Sequence, residues 1–590
     1  MTEIDWEEQG CERVTFASAL TMTMMEKLGI RRMIDEEAKK HEKRLVNLSV
    51  GMTAKAFVGT MSCEMGRRPV RRIAPVLATA PKDRIFGPFV KPTGLNEKIL
   101  RERLTTISQM DLPALHWSIY RQATEVYGLE SRIFHINSTD TDYWGAKYDE
   151  WDDGGAVPMH NNHAKSKRNQ LLQKASHTVV DGNGVSAVTF SRDGNTSDIE
   201  MDRDSIAFLK ERVDMEKALI VADCKLAVGE TLASIIDLGS SFVTKVPASF
   251  GGKIRDDIVY SATSGCMDES ERFPGRRYYD TVADIEILPG RTERLRFVAF
   301  TLPYGKARAE EFLRTQGLTA FAKSVSNLGK FHCEDDARKA FDEAVRGAYC
   351  GAYAADPVIR FDEKLHKKDP DGPCWRAKGE NPRLIESMLE KAAEEYAVSV
   401  LVTNLPFGDG GDILESATAD DVISAYLGEY KVEHAFRLMK SGLNLGRMYI
   451  HSPARQDAVV FLTSINAMIR LIVDNILDPR PDTEDPYEDP EAESRHLTMK
   501  HIIDFMTDVY VNYDRENDRM FFDGAPGATE KVRTILEKLD LDPKLLLGSD
   551  RLSPVIEPAS GSYRSRNVLS PDSEFTSGRS RAHGTTSDRL

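Results

Sequence analysis

Cysteine is scarce in this chain of 590 residues, with seven at Cys11, Cys63, Cys224, Cys266, Cys333, Cys350 and Cys374 and no CxxC pair among them. That scatter suggests neither a zinc ribbon nor a disulfide framework, and buried thiols are expected instead. His332 beside Cys333, with Cys350 and Cys374 downstream, fits no metal-ligand spacing. A long uninterrupted apolar run is also missing. The most apolar stretch, Ala458 to Leu477, is broken by Thr463, Ser464, Asn466, Arg470, Asp474 and Asn475, short of the roughly eighteen apolar residues that a membrane span requires. No membrane partner is expected. The opening MTEIDWEEQGCERVTF is acidic and has no apolar centre, so no signal peptide is expected and the cytoplasm is the default location. Finally, positive charge is in deficit. With 78 Lys and Arg against 93 Asp and Glu, the formal net charge is −15, which counts against a protein that coats nucleic acid without selectivity.

What is present is globular in composition, 41% hydrophobic and 29% charged, and long enough for roughly two to four domains. Residues 1–130 read as a helical N-terminal region. Asn96 is suited to cap the helix that Glu97 opens, and Pro113 marks a break or a fresh start. The basic cluster Arg67, Arg68, Arg71 and Arg72 suits DNA phosphates, although a plain helical packing domain explains the same periodicity. From Ile133 the texture turns to strands, in RIFHINSTDTDYWG and in KASHTVVDGNGVSAVTF with its hairpin centre Asp181-Gly182-Asn183-Gly184. A second basic group, Lys165, Lys167 and Arg168, lies between them. The apolar run ALIVAD reads as a buried strand with Asp223 at its C-terminal end. Antiparallel strands followed by alternating strands and helices predict an α/β mixed sheet over residues 131–250.

Residues 251–395 combine strand-rich and charged helical patterns and read as an insertion. AVSVLVTNLP then restores a clean strand in the segment 396–480. Residues 481–555 read as a C-terminal helical region that begins in the acidic Pro-rich run Asp478–Glu493, and 556–590 as a Ser/Arg/Gly-rich disordered tail. Within 396–480, the stretch YLGEYKVEHAFRLMK (Tyr426 to Lys440) predicts one amphipathic helix. Ala425, Val432, Phe436 and Met439 share an apolar arc. Tyr426, Glu429, Glu433, Arg437 and Lys440 share the arc beside it, where Glu433 and Arg437 are spaced for i,i+4 support. Asp420 and Asp421 enrich the first turn, as helix polarity favours.

Tyr426, Glu433 and Lys440 match three of the four places of the Y-x2-R-x3-E-x6-K signature of a group of insertion-sequence transposases, with Glu429 at the Arg place. The segments HINSTDTDYWG, HAKSKR, DGNGV, DGNTSD, ALIVADCK, FVTKVP and LVTNLP precede it in the order found in one branch of that group, and LNEKILRERL resembles its N-terminal region. Over residues 15–480, then, the chain resembles the DDE insertion-sequence transposases. The resemblance implies an RNase H-like catalytic core and a β-rich insertion between the second acid and the Glu. It further implies Mg²⁺ (or Mn²⁺) dependence and cut-and-paste chemistry on double-stranded DNA at terminal inverted repeats and target DNA. A homodimer on DNA and association with the nucleoid follow from the same likeness. The 210 positions from Asp223 to Glu433 suit the insertion.

Carried over residue by residue, Asp223 matches the second acid and Glu433 the third, both as metal ligands. Lys440 matches the lysine that contacts phosphate. Tyr426 matches the tyrosine that does likewise or positions the Glu, and Arg437 beside them suits DNA. DGNTSD (Asp193–Asp198) matches a supporting loop. The first-acid position, eight residues before Gly145, is Asn137. An amide offers one oxygen to a cation but no charge. Asp140 is close by and, on a regular strand, faces the other way unless a bulge turns it. Three readings stay open: Asp140 substitutes, the protein is a copy that cannot cut, or it retains DNA binding alone. Cys224 and Lys225 stand where the family commonly has Arg-Gly. Trp375 falls in the insertion, where related transposases stack a flipped base; with no motif around it, a packing tryptophan is the plainer reading.

Overall fold

A computed structural model describes residues 12–41, 48–63, 69–88, 90, 94–143, 173–247, 250–251, 253–265, 267–301, 305–346, 351–370, 372–443, 445, 447–448, 450, 452–479, 498–524, 527–547 and 553–555. Its centre is a mixed sheet whose main strands are β1 (Ile133–Tyr143), β2 (Gln173–Asp181), β3 (Ser186–Asp193), β4 (Leu219–Ala222), β5 (Ser241–Lys245), β6 (Arg277–Leu288), β7 (Arg291–Thr301) and β8 (Val398–Thr403). Their spatial order is β3-β2-β1-β4-β5-β8-β7-β6. β1, β4 and β5 run parallel, β2 and β3 antiparallel beside β1, and β8 antiparallel to both β5 and β7. The expected α/β architecture is therefore the one the chain adopts. β4 is buried along its whole length, as a parallel strand covered on both faces must be.

The β2–β3 turn falls at the expected DGNG centre. The Asp181 Oδ1 accepts the N–H groups of Asn183 at 2.9 Å and Val185 at 2.8 Å, and Gly184 takes φ +82°. Tyr120 donates its hydroxyl to Asp181 Oδ2 at 2.9 Å, tying this turn to the N-terminal helix Leu112–Tyr127. That helix starts at Leu112 after the Asp111 cap, with Pro113 in its first turn, and Asn96 Oδ1 accepts the Ile99 N–H at 3.1 Å to begin Glu97–Ser108.

The N-terminal helices share one apolar interior with the sheet and with the C-terminal region. Strand Glu12–Thr15 pairs antiparallel with Tyr510–Asp514, and Phe16 meets Phe522 edge to face at 6.4 Å. Through the middle runs helix Pro453–Leu477, in contact with Phe16–Lys27, Val50–Met61, Glu97–Ser108, Leu112–Tyr127 and β3. By length and composition this helix would suit a membrane span, with mean hydropathy 1.6 over its most apolar window, contrary to the expectation that no stretch qualifies; 83% of that window is buried inside the protein. Its polar residues serve the interior. Asn466 Nδ2 donates to Val58 O at 2.9 Å and Arg470 Nη2 to Met61 O at 2.8 Å, two carbonyls in the last turn of Val50–Met61, where intrahelical donors run out.

The insertion divides in two. Hairpin β6–β7 pairs with β8 and extends the central sheet, whereas 305–396 builds a small unit with its own apolar cluster around Leu313, Phe321, Val325, Tyr353 and Leu389. A sheet of Lys330–Phe331, Trp375–Leu384 and Tyr353–Phe361 lies in that unit. The half-buried Trp375 meets the exposed Phe361 edge-on at 5.5 Å. Apart from Asp478 and Pro479, the acidic Pro-rich run lies outside the described residues, as does the tail from 556 onward.

Replacing Asn466 with Ala leaves the Val58 carbonyl buried without its donor, which costs about 1–3 kcal/mol. Urea unfolding of the variant against wild type measures the loss, and an unchanged midpoint would show that this capping contact is dispensable.

Candidate active site

The parallel register builds the floor of the site. Ile136 of β1 pairs with Ala222 of β4, and Ala222 with Thr244 of β5. The next residues on these three neighbouring strands are Asn137, Asp223 and Lys245, so they stand abreast where β4 and β5 end. Ligands of open α/β sheets bind outside the carboxyl ends of such strands. Asp223 is exposed. One of its carboxylate oxygens caps the short turn Cys224–Leu226, and its backbone carbonyl accepts the Thr244 hydroxyl at 2.8 Å.

The wall of the site departs from expectation. The predicted single helix from Tyr426 to Lys440 is two helices, α1 (Ala419–Leu427) and α2 (Tyr430–Arg437), followed by a π turn, Leu438–Gly442. The break comes at Gly428, where the chain presses on β1: a Cβ there would lie 2.8 Å from Cε1 and 3.0 Å from Nε2 of His135. Thr418 and Asp421 form a capping box that starts α1, while Asp420 accepts from the Ser270 hydroxyl at 2.6 Å and the Arg272 N–H at 3.0 Å. The apolar arc is as expected, with Ala425, Val432, Phe436 and Met439 all buried. On the neighbouring arc Glu429 and Lys440 are half-buried, and Glu433 and Arg437 exposed.

Floor and wall meet at Glu429. Asn137 Nδ2 donates to Glu429 Oε1 at 3.4 Å, and Tyr426 also hydrogen-bonds this carboxyl group. Burial first, then the charges of Asp223 and Glu433, push the Glu429 carboxyl up to about 8, against the opposing pull of Tyr426 and Lys245. Glu429 thus lies within the electrostatic reach of both Asp223 and Glu433. On the other side of Asp223, the buried Asp202 is raised by burial and is 3.3 Å from His177 Nε2; Asp198 and Asp223 add to its rise. The DGNTSD loop supports this flank. Ser197 caps helix Asp198–Lys210, and Asp198 accepts the Ser138 hydroxyl at 2.5 Å.

Of the residues singled out from the sequence, Asn137, Asp223, Tyr426 and Glu433 come together here. Asp140 does not join them by a bulge, because the pairing of β1 with β2 runs without a register shift from Phe134 to Asp142. Three residues along a regular strand, it faces away from Asn137. Arg437 and Lys440 continue the helical wall beyond Glu433. Arg71 and Arg72 are exposed on the short N-terminal helix Val70–Val76. Arg67, Arg68, Lys165, Lys167 and Arg168 fall outside the described residues. Two members of the site were not foreseen. Glu429 stood out in the sequence only as a departure from Arg, and Lys245 closes the FVTKVP strand with no local mark of function.

No protein-family model matches the chain, and no curated protein matches it. The site is therefore judged on its chemistry. Carboxylate oxygens from Asp223, Glu429 and Glu433 with an amide oxygen from Asn137 are hard donors that suit Mg²⁺ or Mn²⁺. Among the described residues no three His, Cys, Asp or Glu side chains already stand as a ligand cluster. A shared shell would take side-chain rotation at the exposed Asp223 and Glu433.

Because the folded-state carboxyl of Glu429 titrates near 8 rather than at its ordinary 4.5, the folded chain binds more protons than the unfolded chain between those values. Its contribution to stability therefore falls as pH rises through that window. In chelator-treated buffer Glu429→Gln should match wild type near pH 4.5 and gain on it towards pH 8, on the order of a few kcal/mol. Denaturant midpoints across that range test this, and a pH-independent difference would refute it.

Proposed function

We propose that the chain is a DDE-type DNA transposase, which cuts DNA strands at the ends of an insertion element and joins them to target DNA with Mg²⁺ or Mn²⁺ bound. The observation that carries this reading is the alignment of Asn137 and Asp223 on adjacent parallel strands beneath a helix bearing Glu433. The ordered resemblance along the chain supports it, as does a mixed sheet in which two antiparallel strands and two parallel ones flank β1, which fits the RNase H-like core that the resemblance implies. The partners are double-stranded DNA and, for pairing two element ends, a second copy of the chain. Work on DNA places the protein at the nucleoid.

Asp223 and Glu433 are the residues that would hold a cation, which when bound would lower the pKa of an attacking water or 3′-hydroxyl and offset charge on the leaving oxygen. Lys245 on the floor and Lys440 on the wall offer ammonium groups to the phosphodiester. The partly buried Tyr426 fixes the Glu429 carboxyl by its hydrogen bond. Exposure of Asp223 and Glu433 leaves this edge of the sheet open to a DNA backbone.

Asn137 favours a second reading, a copy that has lost cutting and keeps DNA binding. Strand cleavage on a duplex carrying the element's ends, with Mg²⁺, separates the two. Asp223→Ala and Glu433→Ala should each reduce cutting at least about 100-fold. Footprinting of the ends without cleavage would favour the remnant, and cleavage without joining would assign a nuclease. A chain that binds no DNA at low salt would end all three readings.

Lys245→Ala and Lys440→Ala should weaken DNA binding similarly across sequences and lower the slope of log K against log salt by about 1 each. Fluorescence anisotropy at several salt concentrations reads this slope. Unchanged slopes would remove both lysines from the DNA path.

A further inference from the structure

We propose that the small unit of residues 305–396 presents the open face of its three-stranded sheet to the phosphate backbone of duplex DNA, a contact separate from the acidic strand ends. Helices Leu318–Val325 and Glu334–Arg346 pack on strands Tyr353–Phe361 and Trp375–Leu384 and cover one face. Ala377 is buried on that side, and a Cβ on Gly379 would lie 2.8 Å from Val325 Cγ2. Side chains alternate along a strand, so Arg376 and Lys378 belong to the other face. Arg376 stands directly opposite Arg360 on one neighbouring strand and Lys330 on the other. Directly opposed residues of antiparallel strands share a face. The three cations therefore form a row across the whole sheet, and all three are exposed.

Like charges directly opposite one another destabilise a sheet, and the chain offsets only the middle of this row. Arg376 Nε donates to Asp362 Oδ2 at 2.8 Å. Among the described residues Lys330 and Arg360 form no ion pair; Glu380, which feels the Arg360 charge, is held by Lys378 at 2.6 Å. A polyanion laid across the strands would relieve the repulsion that remains. Charge is also segregated within the unit. Its three strands hold five basic residues against two acidic, whereas helices Glu334–Arg346 and Glu386–Tyr396 hold four basic against nine acidic. Lys364, Lys367 and Lys368 add to the same end of the sheet, exposed on helix Glu363–Lys368 just beyond Phe361. Phe331, Trp375 and Phe361 are one another's cross-strand partners one residue from the cations, hence on the helix-covered face. The row thus offers charge without a platform for stacking bases, which suits backbone contact that is indifferent to sequence. With strands about 4.8 Å apart, Lys330 and Arg360 stand roughly 10 Å from each other, the rise of about three nucleotides along one strand.

The choice of DNA over RNA rests on the function proposed above; the charge argument does not. The test is fluorescence anisotropy of a labelled DNA duplex of arbitrary sequence, without the element's ends, titrated with the full-length protein at several salt concentrations. Lys330→Gln/Arg360→Gln should lower the slope of log K against log salt by about 2 and weaken binding at least about 10-fold near 0.1 M salt. Lys330→Arg/Arg360→Lys, which keeps the charges, should keep the wild-type slope. So should Arg338→Gln/Lys339→Gln, which removes two charges from the covering helix Glu334–Arg346. Circular dichroism melting confirms that each variant is folded. A folded Lys330→Gln/Arg360→Gln protein with the wild-type slope overturns the proposal and leaves the row to an acidic protein surface. An equal loss in Arg338→Gln/Lys339→Gln overturns it too, as does a wild type that binds no duplex at low salt. A wild type that prefers an RNA duplex at equal salt overturns the choice of DNA. The two readings fail separately: the expected loss of slope in a protein that cuts no element ends would sink the transposase reading and keep this one, and cutting with an unchanged slope would do the reverse.

Discussion

The parallel pairing of β1 with β4 is the constraint on which the rest of the site depends. It sets Ile136 against Ala222 and so brings Asn137 beside Asp223, residues 86 positions apart in the chain. Slipping that register by one residue would turn every side chain of one strand to the opposite face. The slip is opposed by burial: Leu219 to Ala222 are enclosed on both sides, and Phe134 and Ile136 are buried on β1. Apolar packing thus fixes, to the residue, where polar chemistry appears at the strand ends.

Much of this was legible from local pattern. ALIVAD was readable as a buried strand because four consecutive apolar residues have few alternatives, and DGNG as a hairpin because its glycines admit conformations closed to other residues. Asn96 and Pro113 marked helix starts for equally local reasons. What escaped was non-local. Gly428 reads in sequence as a tolerated glycine within a helix, and only the proximity of His135 shows that a side chain has no room there. That hairpin β6–β7 joins the central sheet rather than a separate insertion was not readable, because strand partners at a distance leave no trace in periodicity. The polarity of helix Pro453–Leu477, read as interruption of an apolar run, turned out to be the means by which a buried helix satisfies its neighbours' carbonyls.

Glu429 shows the same limit at the level of chemistry. Counted along the sequence, Asn137 and Glu429 were two separate losses from a signature. Set in contact at 3.4 Å, they become a single donor–acceptor pair. A motif is a projection of geometry onto one dimension, and two departures can compensate in space while appearing additive in sequence.

The first strand, Glu12–Thr15, finds its partner at Tyr510–Asp514. Synthesis at about 5–20 residues per second separates the two by roughly 25 to 100 s. For that interval strand Glu12–Thr15 is outside the ribosome without its neighbour, and the small sheet it joins is complete only once residue 555 has been made. The closing of this sheet joins two segments about 500 residues apart in the sequence. A chain truncated before residue 510 therefore lacks more than a C-terminal region: it leaves the first strand of the N-terminal region without its antiparallel neighbour.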